Sequence, residues 1–506
     1  MKNLLNNAKA DFSSSLVVFF VALPLCLGIA LASGAPLFSG LISGIIGGIL
    51  VGALSGSRFG VSGPAAGLVA IALVAIEQLG GFQHFLAAVV LAGVIQLLFA
   101  LLRFGTIAQY FPTAVIKGML AGIGILIILK QIPHAFGYDA DFEGDQSFSQ
   151  IDGENTFTAI LHSFHALSPG VIIVSVISLC ILLFWEHILS KKIAFFKNIP
   201  GPLVAVLFGI AYYKFSFGMS ALPSISPDHL VSVPVANSLT GFFAQFSFPD
   251  FGKIGDTQLW ITALTIAVVA SVETLLCLEA TDKLDPKKQI SPPNQELFAQ
   301  GLGNVFSGFI GGLPITQVIV RSSANIQSGA KSKLSAILHG LYLLLCVAFI
   351  APFLNLIPLG VLAIILILVG YKLSKPELYR KMYQDGWSQF IPFIATILGI
   401  LFLDLLKGIS IGMLVSIAFI LYKSYKNSHY MVAKKGEGET HIILAEEVSF
   451  MNKAKLLQEL SKLENNQKLI IDQSNSRYID HDILELIEDF KITAKEKNIE
   501  LKIIKK

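Results

Sequence analysis

Two proline-containing motifs interrupt apolar segments of the sequence and could bind a small ligand. The first is FGVSGPAAG at 59–67 and the second is GGLPITQ at 311–317. Proline suits the first position of a helix, where its missing N–H would have no intrahelical acceptor. We therefore expect Pro64 and Pro314 to begin two half-helices whose free N–H groups and positive dipole ends attract an anion. The alternative is a pair of proline kinks packed by small residues.

A basic side chain follows the second motif. Arg321 lies seven residues after Pro314, about two turns further along the same predicted half-helix. A charge inside an apolar segment is costly and usually functional, and a guanidinium offers paired donors to an anion. Alternatively, this side chain extends to the nearby membrane surface. The candidate anion-binding residues are Ser62, Gly63, Pro64, Ala65, Thr316, Gln317, Val318 and Arg321.

One acidic side chain lies deep in another apolar segment. Glu273 belongs to the segment 258–279, within the sequence ASVETLLC at 270–277. An isolated ionised carboxylate is expensive in such surroundings, so Glu273 could carry a proton. It could instead bind a cation or form a structural ion pair with Arg321. We therefore regard Glu273 as a candidate for binding a coupling ion.

The composition indicates what must position these residues. Hydrophobic residues make up 54% of the 506-residue chain and charged residues only 14%, whereas soluble domains carry roughly a quarter. Too little polar surface remains to face water, so most of the chain must face lipid. A helix needs about 20 apolar residues to cross a bilayer. Segments of this kind lie near 13–33, 37–55, 62–78, 83–103, 107–130, 168–189, 199–215, 258–279, 294–311, 315–328, 333–352, 358–373, 387–404 and 408–424.

The fourteen predicted spans divide into two groups of seven. The first repeat covers about 13–215 and the second about 258–424, and each contains one of the proline motifs. Equivalent interruptions in two halves indicate the binding site of a transporter. An odd number of spans in each half makes the repeats inverted relative to each other. The sequence therefore predicts an all-α polytopic membrane protein with an inverted repeat of seven plus seven spans.

Loop charges predict the orientation of these spans. With the N-terminus inside, the loops that carry Arg58, Arg103, Lys287, Lys331 and Lys372 all fall on the cytoplasmic side. Lys and Arg are enriched in cytoplasmic loops. We therefore expect a multi-pass protein of a bacterial-type plasma (inner) membrane, with both termini in the cytoplasm.

The C-terminal part differs from the rest in composition, beginning near Tyr425. Its pattern predicts strands at 441–444, 468–472 and 499–504 and helices at 454–463 and 482–495. Strands that alternate with helices indicate a small α/β domain. The sequence thus predicts a transmembrane domain over 1–428 and an α/β domain over 429–506.

Together these motifs resemble the SulP anion transporters, a family that includes sulfate, bicarbonate and dicarboxylate transporters. The segments that carry the resemblance are ALPL at 22–25, the stretch 36–58, VSGP at 61–64, AVIKG at 114–118 and the stretch 321–330. The segment KLIIDQS at 468–474, followed by YID at 478–480 and a helix, resembles a STAS domain. The resemblance covers essentially the whole chain.

The resemblance implies a core domain and a gate domain, with the anion bound between the third and tenth spans. Transport would follow an elevator-like movement of the core in a homodimer whose STAS domain is cytoplasmic. Glu273 falls where bicarbonate-type members carry an acidic sodium ligand, but Cys277 stands where a hydroxyl is expected. The coupling-ion candidates are therefore Glu273 and Cys277, with a proton favoured over Na⁺. Ser474 is a possible phosphorylation switch, although such domains often serve only folding and docking.

We therefore expect a secondary active transporter of a small inorganic anion, not an enzyme. Sulfate is the first candidate, bicarbonate the second and a dicarboxylate in symport with protons the third. We expect no cofactor or structural metal and no nucleic-acid partner; the coupling ion would be a proton or Na⁺. The alternatives are a nucleobase permease, a membrane anion sensor that does not transport, and a passive anion channel.

Overall fold

The chain forms two compact units, Met1–Met413 and Leu414–Lys506. The computed structural model describes residues 8–140, 148, 154–189, 192, 199–216, 222–235, 239–426, 430–434 and 439–505. The predicted domain boundary between 428 and 429 lies outside these residues.

Helices make up most of the first unit, because apolar segments in lipid must satisfy their backbone groups internally. Its first half contains α1 (Ala8–Ala32), α2 (Leu37–Ile46), β1 (Ser62–Pro64), α3 (Val69–Gln78), α4 (Phe82–Leu101), α5 (Thr113–Phe136), α6 (Thr156–Ser163), α7 (Pro169–Phe184) and α8 (Gly201–Ser216). Further turns over Gly47–Val51 and Gly52–Leu54 extend α2, and a π turn over Trp185–Leu189 extends α7.

The second half is also mainly helical and contains a second short strand. It comprises α9 (Leu239–Phe243), α10 (Thr257–Leu284), α11 (Pro293–Ile310), β2 (Ile315–Gln317), α12 (Ile319–Gln327), α13 (Leu334–Phe349), α14 (Ala351–Leu354), α15 (Leu359–Leu373), α16 (Pro376–Gln384), α17 (Trp387–Phe402) and α18 (Leu405–Lys426). The last helix, α18, continues into the second unit.

Eight helices among the described residues are long and apolar enough to cross a membrane. They are Ala8–Ala32, Leu37–Leu54, Phe82–Leu101, Thr113–Phe136, Pro169–Leu189, Thr257–Leu284, Leu359–Gln384 and Leu405–Tyr422. Four shorter apolar helices are Ala66–Gln78, Gly201–Ser216, Leu334–Phe349 and Trp387–Phe402. The fifth predicted span was placed too early: a 3₁₀ helix occupies Phe104–Tyr110 and α5 begins only after Pro112, its N-cap.

In each of the two proline motifs, a short strand precedes the helix along the sequence. Strands β1 and β2 are antiparallel, with Ser62 opposite Gln317, Gly63 opposite Thr316 and Pro64 opposite Ile315. Non-helical backbone inside a membrane protein must find hydrogen-bond partners within the protein, and these two segments supply them to each other. The pairing extends beyond the strands, because the Ala65 N–H donates to the Pro314 carbonyl at 3.2 Å.

Glycines bring α2 into close contact with the helices around β1. A Cβ atom on Gly40 would lie 1.9 Å from the carbonyl oxygen of Cys26 in α1, and one on Gly48 would lie 2.6 Å from the Cα of Gly340 in α13. Both neighbours are backbone atoms that cannot move aside, so any larger residue would separate the helices. Small residues therefore allow the close helix packing that encloses the strand pair.

The second unit contains a four-stranded sheet. Its strands β3 (Tyr430–Lys434), β4 (Glu439–Leu444), β6 (Lys468–Asp472) and β8 (Glu500–Ile504) have the order β3-β4-β6-β8. Only β3 is antiparallel to its neighbour. The helices are α19 (Lys453–Ser461) and α20 (His481–Glu496), and a two-stranded sheet joins β5 (Glu447–Val448) to β7 (Tyr478–Ile479). The strands at 441–444, 468–472 and 499–504 and both helices were predicted; β3, β5 and β7 were not.

Candidate functional site

Arg321 lies in the first turn of α12, which begins at Ile319. Its side chain is completely buried, so the alternative in which it extends to the membrane surface is wrong. Its Nη2 donates to the Sγ atom of Cys26 at 3.3 Å, while Nε and Nη1 have no hydrogen-bond partner. No carboxylate among the described residues forms an ion pair with it. The protein therefore buries a guanidinium whose charge and donors are largely unmatched.

The guanidinium lies directly against the backbone of β1. A Cβ atom on Gly63 would lie 2.0 Å from Arg321 Nη1, so only glycine leaves room for the side chain in this position. On its other sides the guanidinium approaches Cys26 of α1 and Gly44 of α2. Three elements that are distant in the sequence from Arg321 thus enclose its cationic group.

The strand pair has two faces, and the predicted anion-binding residues divide between them. Side chains alternate along a strand, so Gly63 and its partner Thr316 share one face, while Ser62 and Gln317 share the other. Arg321 packs on the Gly63 face. The hydroxyl Oγ1 of Thr316 is buried without a hydrogen-bond partner. This face therefore combines a buried cation with a free hydroxyl, as an anion site requires.

The opposite face is fixed to the surrounding helices. Gln300 Nε2 donates to Ser62 Oγ at 2.7 Å. Gln317 Nε2 donates to Thr281 Oγ1 at 2.9 Å, and its backbone N–H donates to Thr274 Oγ1 at 3.3 Å. The geometry gives Ser62 and Gln317 a bracing role, and their contact with an anion stays a prediction.

Pro64 and Pro314 do not begin helices, and this prediction is wrong. Pro64 ends strand β1, and Pro314 precedes strand β2. Ala65 and Val318 then connect the strands to their helices, and Val318 is the N-cap of α12 without a side-chain cap. The pairing of the two segments satisfies backbone hydrogen-bonding groups. Helices that began at the prolines would have left these groups without partners. The anion site is consequently built from strand residues and from the first turn of α12.

A stripe of polar residues on α11 holds the strand pair, and the sequence analysis missed it. Glu296, Gln300, Asn304 and Ser307 are completely buried and follow the helical repeat, so they share one face. Asn304 Nδ2 donates to the Ile315 carbonyl at 3.0 Å and its Oδ1 accepts from the Ile315 N–H at 2.6 Å. Gln300 also donates to Glu296 Oε1 at 2.9 Å. The spacing of four polar residues in an apolar helix was the available signal.

Glu273 is buried on α10 beside the end of β1. A Cβ atom on Gly67 would lie 2.9 Å from Glu273 Oε2, and this oxygen has no hydrogen-bond partner. Among the ion pairs of the described residues, none joins Glu273 to Arg321. Cys277, one helical turn later, is also buried. The structure thus places both coupling-ion candidates next to the strand pair and leaves the carboxylate without an ion-pair partner among the described residues.

A second titratable cluster lies at the C-terminal end of α5. Asp139 accepts hydrogen bonds through Oδ1 from His134 Nδ1 at 2.5 Å and through Oδ2 from His229 Nδ1 at 2.6 Å. Burial alone would raise the pKa of Asp139, but the two histidines outweigh it and hold that pKa below its ordinary value. The hydrogen bond to Asp139 raises the pKa of His229. This cluster joins the end of α5 to a distant loop.

Ser474 lies in the second unit, where its N–H donates to Asp472 Oδ1 at 2.9 Å. The hydroxyl also bonds to this carboxylate and lowers the pKa of Asp472. A switch at Ser474 stays a prediction.

In the part of the chain that the structure describes, no group of three His, Cys, Asp or Glu side chains is placed to hold a metal ion.

Comparisons with known proteins agree with this architecture. The model of the sulfate permease family matches residues 9–396. The chain belongs to this family. One relative is "Putative sulfate transporter YvdB" from Bacillus subtilis (strain 168), which is 28% identical to this chain. The match covers 94% of this chain and 87% of the relative. "Bicarbonate transporter BicA" from Picosynechococcus sp. is 25% identical, over 81% of this chain and 69% of its own.

Solved structures support the fold of this sulfate permease family chain. The overall structure of SLC26A9 has a TM-score of 0.66 at 17% identity and covers 99% of this chain and 84% of its own. The transmembrane domain of a cyanobacterial bicarbonate transporter BicA has a TM-score of 0.56 at 24% identity. The match covers 81% of this chain and 97% of the BicA domain. The sheet and helices of the second unit are consistent with a STAS domain.

Proposed function

We propose that the chain is a secondary active transporter of a small inorganic anion, with sulfate as the first candidate. The observation that carries this proposal is the complete burial of Arg321, whose Nε and Nη1 have no partner. A lone buried charge is expensive. A bound anion would neutralise this charge and accept hydrogen bonds from the guanidinium. Relatives named for sulfate and bicarbonate transport support these two anions ahead of a dicarboxylate.

The anion would bind on the Gly63 and Thr316 face of the strand pair. There the guanidinium of Arg321 supplies charge-assisted hydrogen bonds, and Thr316 supplies a neutral donor. The positive end of α12 would complete the site. The N–H groups of Ala65 and Val318 are already bonded to the Pro314 and Val61 carbonyls, so these residues and Pro64 would shape the site without donating to the anion.

The proposed architecture has fourteen spans in two inverted repeats, with β1 and β2 in corresponding positions of the two halves. The strand pair and its polar braces on α10 and α11 form one rigid group, which suits a core that moves as a body against a gate. We further propose a homodimer in a plasma membrane, with both termini in the cytoplasm.

Coupling would use the carboxylate of Glu273, because an ionised form without a cationic partner is costly at this depth. Neutralisation by a proton or by Na⁺ would remove that cost. The thiol of Cys277 is a poorer ligand for the hard cation Na⁺ than an oxygen would be, which favours the proton.

Uptake into proteoliposomes tests the proposal. Purified protein is reconstituted, and the uptake of labelled sulfate, bicarbonate and succinate is measured with an imposed pH gradient or Na⁺ gradient. We expect saturable sulfate uptake that is lost in Arg321→Ala and retained in the control Arg58→Ala, a half-buried arginine that bonds to the Lys331 carbonyl. Binding without uptake of any of the three anions would instead support a sensor.

A further inference from the structure

Four lysines converge at one end of the first unit. Lys117 lies near the start of α5, Lys283 in the last turn of α10, Lys288 in the turn that follows, and Lys381 in α16. The charges of the other three all act on Lys117. Because these residues come from three separate stretches of the chain, only the tertiary structure assembles the cluster.

Acidic partners lie close to only two of the four lysines. The Nζ of Lys117 lies 3.9 Å from Asp385 Oδ2, and that of Lys283 lies 3.4 Å from Glu279 Oε1. Both distances are long for an ion pair that also makes a hydrogen bond. Among the described residues, Lys288 and Lys381 form no ion pair. Two ammonium groups of the cluster are therefore not paired with a carboxylate.

The other carboxylates of the neighbouring turn are already occupied by hydrogen bonds. Asp282 accepts from the N–H and the hydroxyl of Ser291, both at 2.7 Å. Asp285 accepts from the N–H groups of Lys287 at 2.8 Å and Gln289 at 3.2 Å. These carboxylates keep their charge but shape the turn that carries Lys288, because they accept from three backbone N–H groups and from the Ser291 hydroxyl.

The adjoining helix α16 has the character of a segment at the membrane surface. Met382 is buried on one side of it, while Lys381 and Tyr383 are exposed on the other. Tyr383 is 57% exposed and its ring meets that of Trp387, which is 62% exposed, at 5.6 Å. Exposed Tyr and Trp beside basic residues are typical of the interface between lipid headgroups and acyl chains.

We propose that the lysine cluster is a binding site for the phosphate headgroup of an anionic phospholipid. Basic pockets between transmembrane helices bind such headgroups, and lysines interact with phosphate as point charges. The exposed aromatic pair beside the cluster favours a lipid over a free phosphate ion, because its rings would contact the glycerol and the upper acyl chains.

The bound lipid would connect separate helices. Lys283 Nζ already donates to Thr113 Oγ1 at 3.1 Å, which joins the end of α10 to the beginning of α5. A phosphate shared by Lys117, Lys283 and Lys381 would add α16 to this junction. The site does not depend on which anion the protein transports.

Native mass spectrometry of the full-length protein tests this proposal, with phosphatidylglycerol titrated against a phosphatidylcholine background. The double variant K288Q/K381Q should need about 30-fold more phosphatidylglycerol for half occupancy. The matched control K253Q/K407Q, which neutralises two lysines outside the cluster, should match the wild type, and K288R/K381R should retain binding. Equal melting temperatures in pure phosphatidylcholine would show that all variants are folded.

Two results would overturn the proposal. Unchanged phosphatidylglycerol binding in K288Q/K381Q would remove the lysine cluster from lipid recognition. Inorganic phosphate that binds to the wild type as tightly as the lipid, and competes with it, would instead assign the site to a soluble anion. Lipid binding that survives excess phosphate and is lost in K288Q/K381Q would support the lipid site.

Discussion

Gly63→Ala should displace the guanidinium of Arg321 from the anion site without removing its charge. The new Cβ would lie 2.0 Å from Nη1 and 2.9 Å from Cζ of the guanidinium. Non-bonded carbon and nitrogen atoms need about 3.5 Å, so the guanidinium must move by about 1.5 Å. It lies at the end of a flexible side chain, so we expect the fold to survive.

The expected loss of affinity follows from this displacement. For an anion about 4 Å from the guanidinium and an effective dielectric constant of about 20, a retreat to about 5.5 Å costs about 1 kcal/mol. One lost charge-assisted hydrogen bond adds about 1.5–3 kcal/mol. The total of about 2.5–4 kcal/mol corresponds to a Kd that is roughly 60- to 700-fold higher.

Isothermal titration of purified protein with the transported anion measures this effect, and the double variant G63A/R321A shows its route. If Gly63 acts through Arg321, G63A/R321A should bind no more weakly than Arg321→Ala alone. Gly52→Ala is the matched control, because its Cβ would find no neighbour closer than 3.5 Å. Wild-type affinity in Gly63→Ala, or additive losses in the double variant, would refute the reasoning.

Three further predictions test the site and its surroundings. Thr316→Val should raise the Kd for the anion about tenfold by removing a donor, whereas Ser62→Ala, on the other face, should change it less than about twofold; the reverse order would reject the two-face assignment. Glu273→Gln should abolish accumulation driven by a pH gradient while anion exchange continues, and normal uphill uptake would exclude a proton on Glu273. The pKa of Asp139 is depressed, so its stabilising contribution is lost as the pH falls through that value, whereas the pKa of His229 is raised, so its contribution is lost as the pH rises through that value. The melting temperature of the wild type should therefore exceed that of Asp139→Asn most between about pH 4 and 6.5, and a difference independent of pH would contradict this.

Local composition was sufficient to predict most of the elements. The length of an apolar segment is set by the thickness of the bilayer, so helices such as α1 and α4 appear close to where the sequence predicts them. The two proline motifs were also recognised as the unusual points of the chain. In the second unit, alternating strand and helix patterns predicted the central strands and both helices, because each pattern is local.

Only the tertiary structure decided how the proline motifs and the charged residues are used. Pro64 lies in a strand and Pro314 directly precedes the partner strand, because each segment satisfies backbone groups of another some 250 residues away, and no local pattern records that pairing. The same pairing decides that Thr316 faces Arg321 while Ser62 faces Gln300. The sequence alone determined that a charge lies within an apolar segment. Where it lies and what it meets depended on contacts between distant segments, since the cost of burying Arg321 is set by its surroundings.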